Sequence, residues 1–241
     1  MKYMKEAIVK WIQNWFKENG PDCKAVIGIS GGKDSSIVAA LCVEALGKDR
    51  VIGVMMPNGR GSQDKDSITL IKHLGIDSMT VGIDDAYSKI MNAVANQCHI
   101  TLQASINLPP RLRMATLYAV SQSINGRVAN TCNLSETYIG WETRWGDAVG
   151  DFAPLQGLTC SEVIALGREL NLPKEFIEKI PSDGLCGSTD EDAFGFTYDE
   201  LDRWIRLQVK GENHSRIMQL HKKNRFKQLD LPHYSPPLIK Y

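Results

Sequence analysis

The run Ser30-Gly31-Gly32-Lys33-Asp34-Ser35-Ser36 concentrates more reactive and ligand-binding groups than any other stretch of the chain. It follows an apolar segment, Ala25-Val26-Ile27-Gly28-Ile29, and opens another, Ile37 to Leu46. Read as strand, turn and helix, it puts paired glycines where the backbone must turn tightly with positive φ and approach a ligand closely. Ser30, Ser35 and Ser36 add hydroxyl donors, and the helix start adds unpaired amides and the positive end of its dipole. Together these groups can cradle a phosphate chain. Asp34 would repel phosphate unless a cation lay between them, and a magnesium ion suits that place. Two better-known phosphate motifs do not match. Ile27 stands where the Walker loop requires glycine and Asp34 where it requires Ser or Thr, and the Gly-x-Gly-x-x-Gly fingerprint is absent.

A second set of polar residues lies in Thr131-Cys132-Asn133-Leu134-Ser135-Glu136, then Thr143-Arg144-Trp145-Gly146-Asp147, then Asp151-Phe152-Ala153-Pro154-Leu155. Glu136 and Asp34 together could hold magnesium against a triphosphate and neutralise a leaving pyrophosphate. Without such a partner, Glu136 is a helix-start acid, favourable to the dipole by under about 1 kcal/mol. Thr131 can contact a nucleotide or bond its own backbone. Arg111 and Arg113 follow Pro109-Pro110, and a guanidinium there can hold two phosphate oxygens at once. One of the two also fits a solvated helix face.

These residues need a frame that gathers them. Met4, Ile8, Trp11, Ile12 and Trp15 recur at helical spacing before Gly20-Pro21, so the chain opens with an amphipathic helix whose tryptophans read as core. Strands are expected over 25–29, 51–56, 79–83 and 128–131, and helices over 62–74 and 84–95. A long helix is expected to begin near Pro109-Pro110, since proline is tolerated in a first turn, and to run to about Asn125. Thr159-x-x-Glu162 and Thr197-x-x-Glu200 read as capping boxes, and 182–196 as a loop. The fold class is α/β: a doubly wound, mainly parallel sheet with helices on both faces, forming one domain over residues 1–241. In such a sheet, ligands bind beyond the carboxyl ends of the strands, where the loops after Ile29, Met56, Ile83 and Thr131 emerge.

Bulk composition removes several alternatives. With 28 basic and 28 acidic residues there is no electrostatic footprint of a general nucleic-acid binder. No stretch approaches the roughly 18 apolar residues of a membrane span, and the N-terminus enters an amphipathic pattern directly, so a cytoplasmic protein without membrane attachment is expected. The six cysteines contain no Cys-x-x-Cys pair, which suits reduced thiols and argues against sulfur transfer.

The loop at 30–35 resembles the Ser-Gly-Gly-x-Asp-Ser element of the ATP pyrophosphatases, which cleave ATP between the α- and β-phosphates. The segments after the fourth strand, with Pro181-Ser182-Asp183-Gly184-Leu185, Thr189-Asp190-Glu191-Asp192, Thr197-Tyr198-Asp199-Glu200-Leu201 and His221-Lys222, resemble the NAD synthetase family in order along nearly the whole chain. That resemblance implies an adenine-nucleotide alpha-hydrolase-like fold and the ATP-dependent amidation of deamido-NAD by ammonia through an adenylate. AMP and pyrophosphate would be released, magnesium would be the cofactor, and the active unit would be a homodimer.

The resemblance also implies roles. Gly28, Ile29, Ser30, Gly31, Gly32, Lys33, Asp34, Ser35, Ser36, Arg60, Gln63, Thr131, Cys160 and Ser182 would contact ATP, and Asp34 and Glu136 would hold the metal. Asn107, Arg111, Arg144, Asp151, His221 and Lys222 would contact deamido-NAD, while Asp147 would help receive ammonia. Cys160 stands where the family has a phosphate-contacting lysine, Pro110 where it has alanine, and Arg144 where lysine is usual. Lys33 or a C-terminal lysine could restore the missing charge. No cysteine sits in an amidotransferase elbow, so ammonia, free or from a separate donor, is the expected nitrogen source. An amidating enzyme like GMP synthetase, a tRNA-thiolating enzyme and a silent nucleotide-binding protein are the rival readings.

Overall fold

A computed structural model describes residues 2–59, 65–177 and 189–234. The expected positions Arg60, Gln63 and Ser182 lie outside them. Strands β1 (Lys24–Gly28), β2 (Val51–Met55), β3 (Asp77–Thr80) and β4 (Gly126–Val128) form one parallel sheet in the order β3-β2-β1-β4. Helices α1 (Lys2–Asn19), α2 (Lys33–Leu46), α3 (Lys65–Leu74), α4 (Asp84–Ala95) and α5 (Leu102–Ser123) precede β4 or link the strands. After it come α6 (Leu134–Ile139), α7 (Cys160–Glu169), α8 (Lys174–Ile177), α9 (Asp190–Phe194), α10 (Tyr198–Leu207) and α11 (His214–Asn224).

Both faces of the sheet are covered, as the continuous apolar strands β1 and β2 require. On one face Ala25, Ile27 and Ile29 meet Ile12 and Phe16 of α1, Ile37 and Leu41 of α2, and Val163 and Leu166 of α7. On the other, Val26, Ile52 and Val54 meet Leu117, Val120 and Ile124, so α5 and its end form the second layer. Trp15 stacks on Phe152 with centroids 5.0 Å apart, as a core residue should, but Trp11 is 43% exposed. The first helix therefore buries one edge of its stripe, with Ile12 and Phe16 at its centre.

Each strand stops short of its expected carboxyl end. Hydrogen bonding nonetheless continues, from Ile29 N to Val54 O, Val81 N to Met55 O and Ala129 N to Val26 O. The apolar runs thus lead straight into the ligand-facing loops. β3 differs from expectation in burial: all four of its residues are exposed at the edge of the sheet. The long helix also begins earlier than expected, because Thr101 caps it by accepting from Ala104 N at 3.2 Å. Pro109 and Pro110 then lie inside α5, each removing an amide donor, and packing on β1 and β4 holds the helix together across them. The expected loop 182–196 contains α9, a short helix opened by Thr189, whose hydroxyl accepts from Asp192 N at 3.1 Å.

Candidate active site

The loop between β1 and α2 lies at the carboxyl edge of the sheet. Gly31 adopts φ +71, a left-handed conformation that glycine reaches at little cost, and Gly32 is the N-cap of α2. Within the loop the Ser30 and Ser35 hydroxyls lie 3.1 Å apart and the Gly32 amide donates to Ser30 Oγ at 3.3 Å. Ser36 is fully buried and donates to the Gly32 carbonyl at 2.7 Å. Ser35 donates to the same carbonyl at 3.2 Å, so both hydroxyls brace the turn, and Ser30 lines it beside the first-turn amides of α2.

Asp34 and Glu136 come together through a residue that sequence reasoning did not single out. Asn133 is the N-cap of α6: its side-chain oxygen accepts from the Glu136 amide at 3.1 Å, and Glu136 Oε2 accepts from the Asn133 amide at 3.3 Å. The other end of the same side chain, Nδ2, donates to Asp34 Oδ1 at 3.2 Å. Asn133 thus fixes both acids relative to each other, and a box of the Asn-x-x-Glu form at 133–136 was the signal that could have found it. Burial raises the pKa of Glu136, and the nearby Asp34 carboxylate raises it further. Two carboxylates held close and mutually unfavourable form a donor set suited to a hard divalent cation, with phosphate oxygens and water completing its shell.

Lys33 is buried, with Nζ 2.7 Å from Asp34 Oδ2 and 5.8 Å from the Tyr198 ring centroid. Burial opposes its charge, but Asp34 and Glu136 outweigh that effect and the ammonium is held charged. Cys160, at the start of α7, is also buried; its thiol is pushed up to about 12 by burial, with Lys33 acting against the shift, so it carries no charge. Its amide donates to Ser135 Oγ at 3.0 Å, and Ser161 N donates to Asp202 Oδ2 at 2.8 Å. Buried Ser135 and Asp202 thereby anchor α7 to α6.

The second group gathers around the segment after α6. Thr143 N donates to Asp147 Oδ1 at 2.8 Å, Thr143 Oγ1 donates to Asn107 Oδ1 at 3.0 Å, and Arg111 Nε donates to the Arg144 carbonyl at 3.3 Å. Asn107, Arg111, Arg144 and Asp147 are therefore one cluster. Surrounding protein raises the Asp147 pKa, outweighing the amide bond from Thr143, although the residue keeps contact with solvent. The Arg144 guanidinium lies over Trp145 at 4.9 Å and Phe226 at 5.6 Å and donates through one terminal nitrogen to the Leu229 carbonyl at 3.2 Å, while among the described residues its Nε is buried without a partner. Arg113 donates to the Met56 carbonyl at 3.2 Å, which puts it at the sheet edge as well.

Other expected positions are held differently. Asp151 accepts from Val128 N at 2.7 Å and from the Tyr118 hydroxyl at 3.2 Å, so both its oxygens are used within the chain. His221 stacks on Tyr138 at 4.2 Å with Nδ1 2.7 Å from the Tyr138 carbonyl, and Lys222 is exposed on α11. Among the described residues, no hydrogen bond or ion pair joins Asp151, His221 or Lys222 to Asp34 or Glu136. Thr131 lies half-buried just past β4. Trp141 packs edge-on against Phe194 at 4.6 Å, whereas Trp145 is 50% exposed. Glu142 and Lys227, which sequence reasoning passed over, are drawn in beside Asp147. Lys227 Nζ donates to the carbonyls of Gly140 at 2.6 Å and Glu142 at 3.0 Å. Thr197 caps α10, but Glu200 turns from the expected box to Asn213, accepting from its amide at 2.6 Å and its Nδ2 at 2.9 Å. The box at Thr159 forms, with Glu162 Oε2 accepting from Thr159 N at 2.9 Å.

A parallel sheet with a glycine-serine turn and charged side chains gathered at its carboxyl edge is the frame of an α/β nucleotide-binding protein. The sequence profile of the NAD synthase family matches residues 4–231, and the chain belongs to that family. It is 35% identical over 217 residues to the NH(3)-dependent NAD(+) synthetase of Carboxydothermus hydrogenoformans, covering 87% of this chain and 88% of that one. Among solved structures, an NMN synthetase from Francisella tularensis superposes with a TM-score of 0.88 at 34% identity, covering 98% of both chains. An NH3-dependent NAD synthetase from Campylobacter jejuni, in complex with nitrate, superposes with a TM-score of 0.79 at 27% identity, again covering 98% of both.

Proposed function

We propose that the chain catalyses the ATP-dependent amidation of deamido-NAD to NAD by ammonia, through an adenylated intermediate. The observation that supports it most directly is Asn133 tying Asp34 to Glu136 beside the glycine turn. In the first step a nicotinate carboxylate oxygen bonds the α-phosphorus of ATP and the bond to pyrophosphate breaks. Ammonia then bonds the activated carbonyl carbon, the acyl–phosphate bond breaks, AMP departs and a proton passes to the Asp147 carboxylate. None of this needs a protein nucleophile; it needs two anions aligned and their charge offset. Asp34 and Glu136 would hold magnesium, which when bound would neutralise charge on the pyrophosphate. Ser30, the first-turn amides of α2 and Lys33 would hold the ATP phosphates. Arg111 and the Nε of Arg144 would hold the acid substrate, with Asn107 positioning their loop. The protein would act as a single domain, in the cytoplasm, and as a homodimer; among the described residues no helix is long and apolar enough to cross a membrane.

The test measures NAD, AMP and pyrophosphate formed from deamido-NAD, MgATP and ammonium. All three are expected in equal amounts from the wild type, with severe loss in Asp34→Ala and Glu136→Ala. ATP binding without turnover would overturn the reading. A second acceptor, nicotinic acid mononucleotide, is favoured by the likeness to the NMN synthetase of F. tularensis. The ratio of kcat/KM on the two acids separates these substrates.

A further inference from the structure

Beside Asp147 lies a cavity of about 160 Å³ whose lining includes Asn130, Cys132, Thr137, Glu142, Gln156 and Lys227. One water needs only about 10–15 Å³ of such space, so the cavity has room for small molecules. Glu142 is 4% exposed, and among the described residues its Oε2 is buried without a hydrogen-bond partner. The cation nearest to hand does not pair with it: Lys227 Nζ is committed to the Gly140 and Glu142 carbonyls. Buried carboxylates are ordinarily paired or hydrogen-bonded, so this one lacks a guest that carries donors or positive charge.

The cavity backs onto the candidate active site. Asn130 Nδ2 donates to the Asp147 carbonyl at 2.9 Å and Cys132 Sγ donates to the same oxygen at 3.3 Å, so two of its walls are fastened to the residue expected to receive ammonia. The Cys132 thiol also lies within electrostatic reach of Asp147, Glu136, Glu142 and Asp34. We propose that this cavity holds the ammonium ion before amidation, with the Glu142 carboxylate as its anionic wall. The inference rests on the amidation reading. One N–H bond of ammonium would break and its proton pass to a Glu142 oxygen, giving neutral ammonia with a free lone pair and a carboxylic acid; no electrons change hands. Four N–H donors and a volume near that of water suit ammonium to the amide, hydroxyl and carboxylate acceptors of the wall. Burial pushes the Glu142 acid up to about 7, against a hydrogen bond from its own backbone amide and the pull of Lys227, so the group can both hold and release a proton near neutrality.

The experiment varies ammonium at saturating MgATP and deamido-NAD in wild type and the isosteric Glu142→Gln, with thermal unfolding to establish that the variant is folded. The KM for ammonium is expected to rise at least tenfold while the KM values for ATP and deamido-NAD stay at wild-type levels. Crystals soaked in thallous acetate supply a readout without turnover: an anomalous peak is expected against Glu142, lost in Glu142→Gln and displaced by ammonium. An unchanged KM for ammonium, or a cavity without thallium, would overturn the inference and leave Glu142 a neutral buried acid only. A wild type that binds thallium there yet makes no NAD would sink the amidation reading instead.

Discussion

At the scale of single residues, the exchange of charge between positions 33 and 160 decides how the phosphate site is built. Cys160 is a buried neutral thiol where the family resemblance expects a lysine, and Lys33 presents a buried ammonium to Asp34, Glu136 and the same thiol. The positive charge is present but arrives from another element, on the first residue of α2. A charge-assisted hydrogen bond contributes about 1.5–3 kcal/mol, so Lys33→Ile should raise the KM for ATP roughly 10- to 100-fold. The double variant Lys33→Ile, Cys160→Lys should recover most of that loss, and steady-state kinetics in which the double variant does no better than the single one would refute the exchange. Glu142 gives a second prediction, about stability. Its acid is raised from 4.5 to about 7, so the folded chain holds a proton that the unfolded chain releases. Stability from this group is complete below about pH 4.5 and falls as pH rises towards 7, by up to about 3 kcal/mol. In ammonium-free buffer Glu142→Gln should flatten the decline in chemical stability between pH 5 and pH 8, as urea melts at the two pH values will report.

At the scale of elements, β1, β2 and α2 could be read directly from apolar runs and periodicity, because packing on both faces of the sheet demands those patterns. The start of α5 could not, since local proline rules point to Pro109-Pro110 while the Thr101 cap and burial against the sheet extend the helix back to Leu102. The glycine-serine turn was legible because its residue types are few and closely spaced, and Glu136 because it follows the fourth strand onto the same sheet edge as Asp34. Glu142 and Lys227 were not, because only the fold brings the start of the 141–150 segment against the turn after α11. Asn133 stands between the two cases. Its role as a cap could be read, but its reach to Asp34 depends on β1 and β4 being neighbours. Asn133→Ala should therefore do two things: lose about 1 kcal/mol of stability with the cap, and reduce kcat more than the KM for ATP as Glu136 and Asp34 lose their alignment. A variant that is less stable but has unchanged kcat would make Asn133 a helix cap alone.

At the scale of the whole molecule, one edge has no cover from the described residues. β3 is exposed along its length and α4 has no buried residue, yet both carry apolar side chains: Met79 is 38% exposed, Val81 36%, and Ile90 and Val94 40% each. An amphipathic helix stabilised by its apolar stripe needs something to cover that stripe, and a contiguous exposed apolar patch marks an interaction surface. A second copy of the chain packed on this edge would satisfy α4 and β3 symmetrically, in line with the commonest closed assembly of soluble proteins. α5, which α4 packs against, carries Asn107 and Arg111 at its half nearer the sheet's carboxyl edge, so the same surface adjoins the residues proposed to hold the acid substrate. The double variant Ile90→Glu, Val94→Glu places two like charges in that contact and should sediment as a monomer of about half the wild-type mass. Because the contact supports α5, its KM for deamido-NAD should rise while far-UV circular dichroism stays native. A wild type that already sediments as a monomer at tens of micromolar would refute the assembly, and a monomeric variant with wild-type kinetics would separate dimer formation from substrate binding.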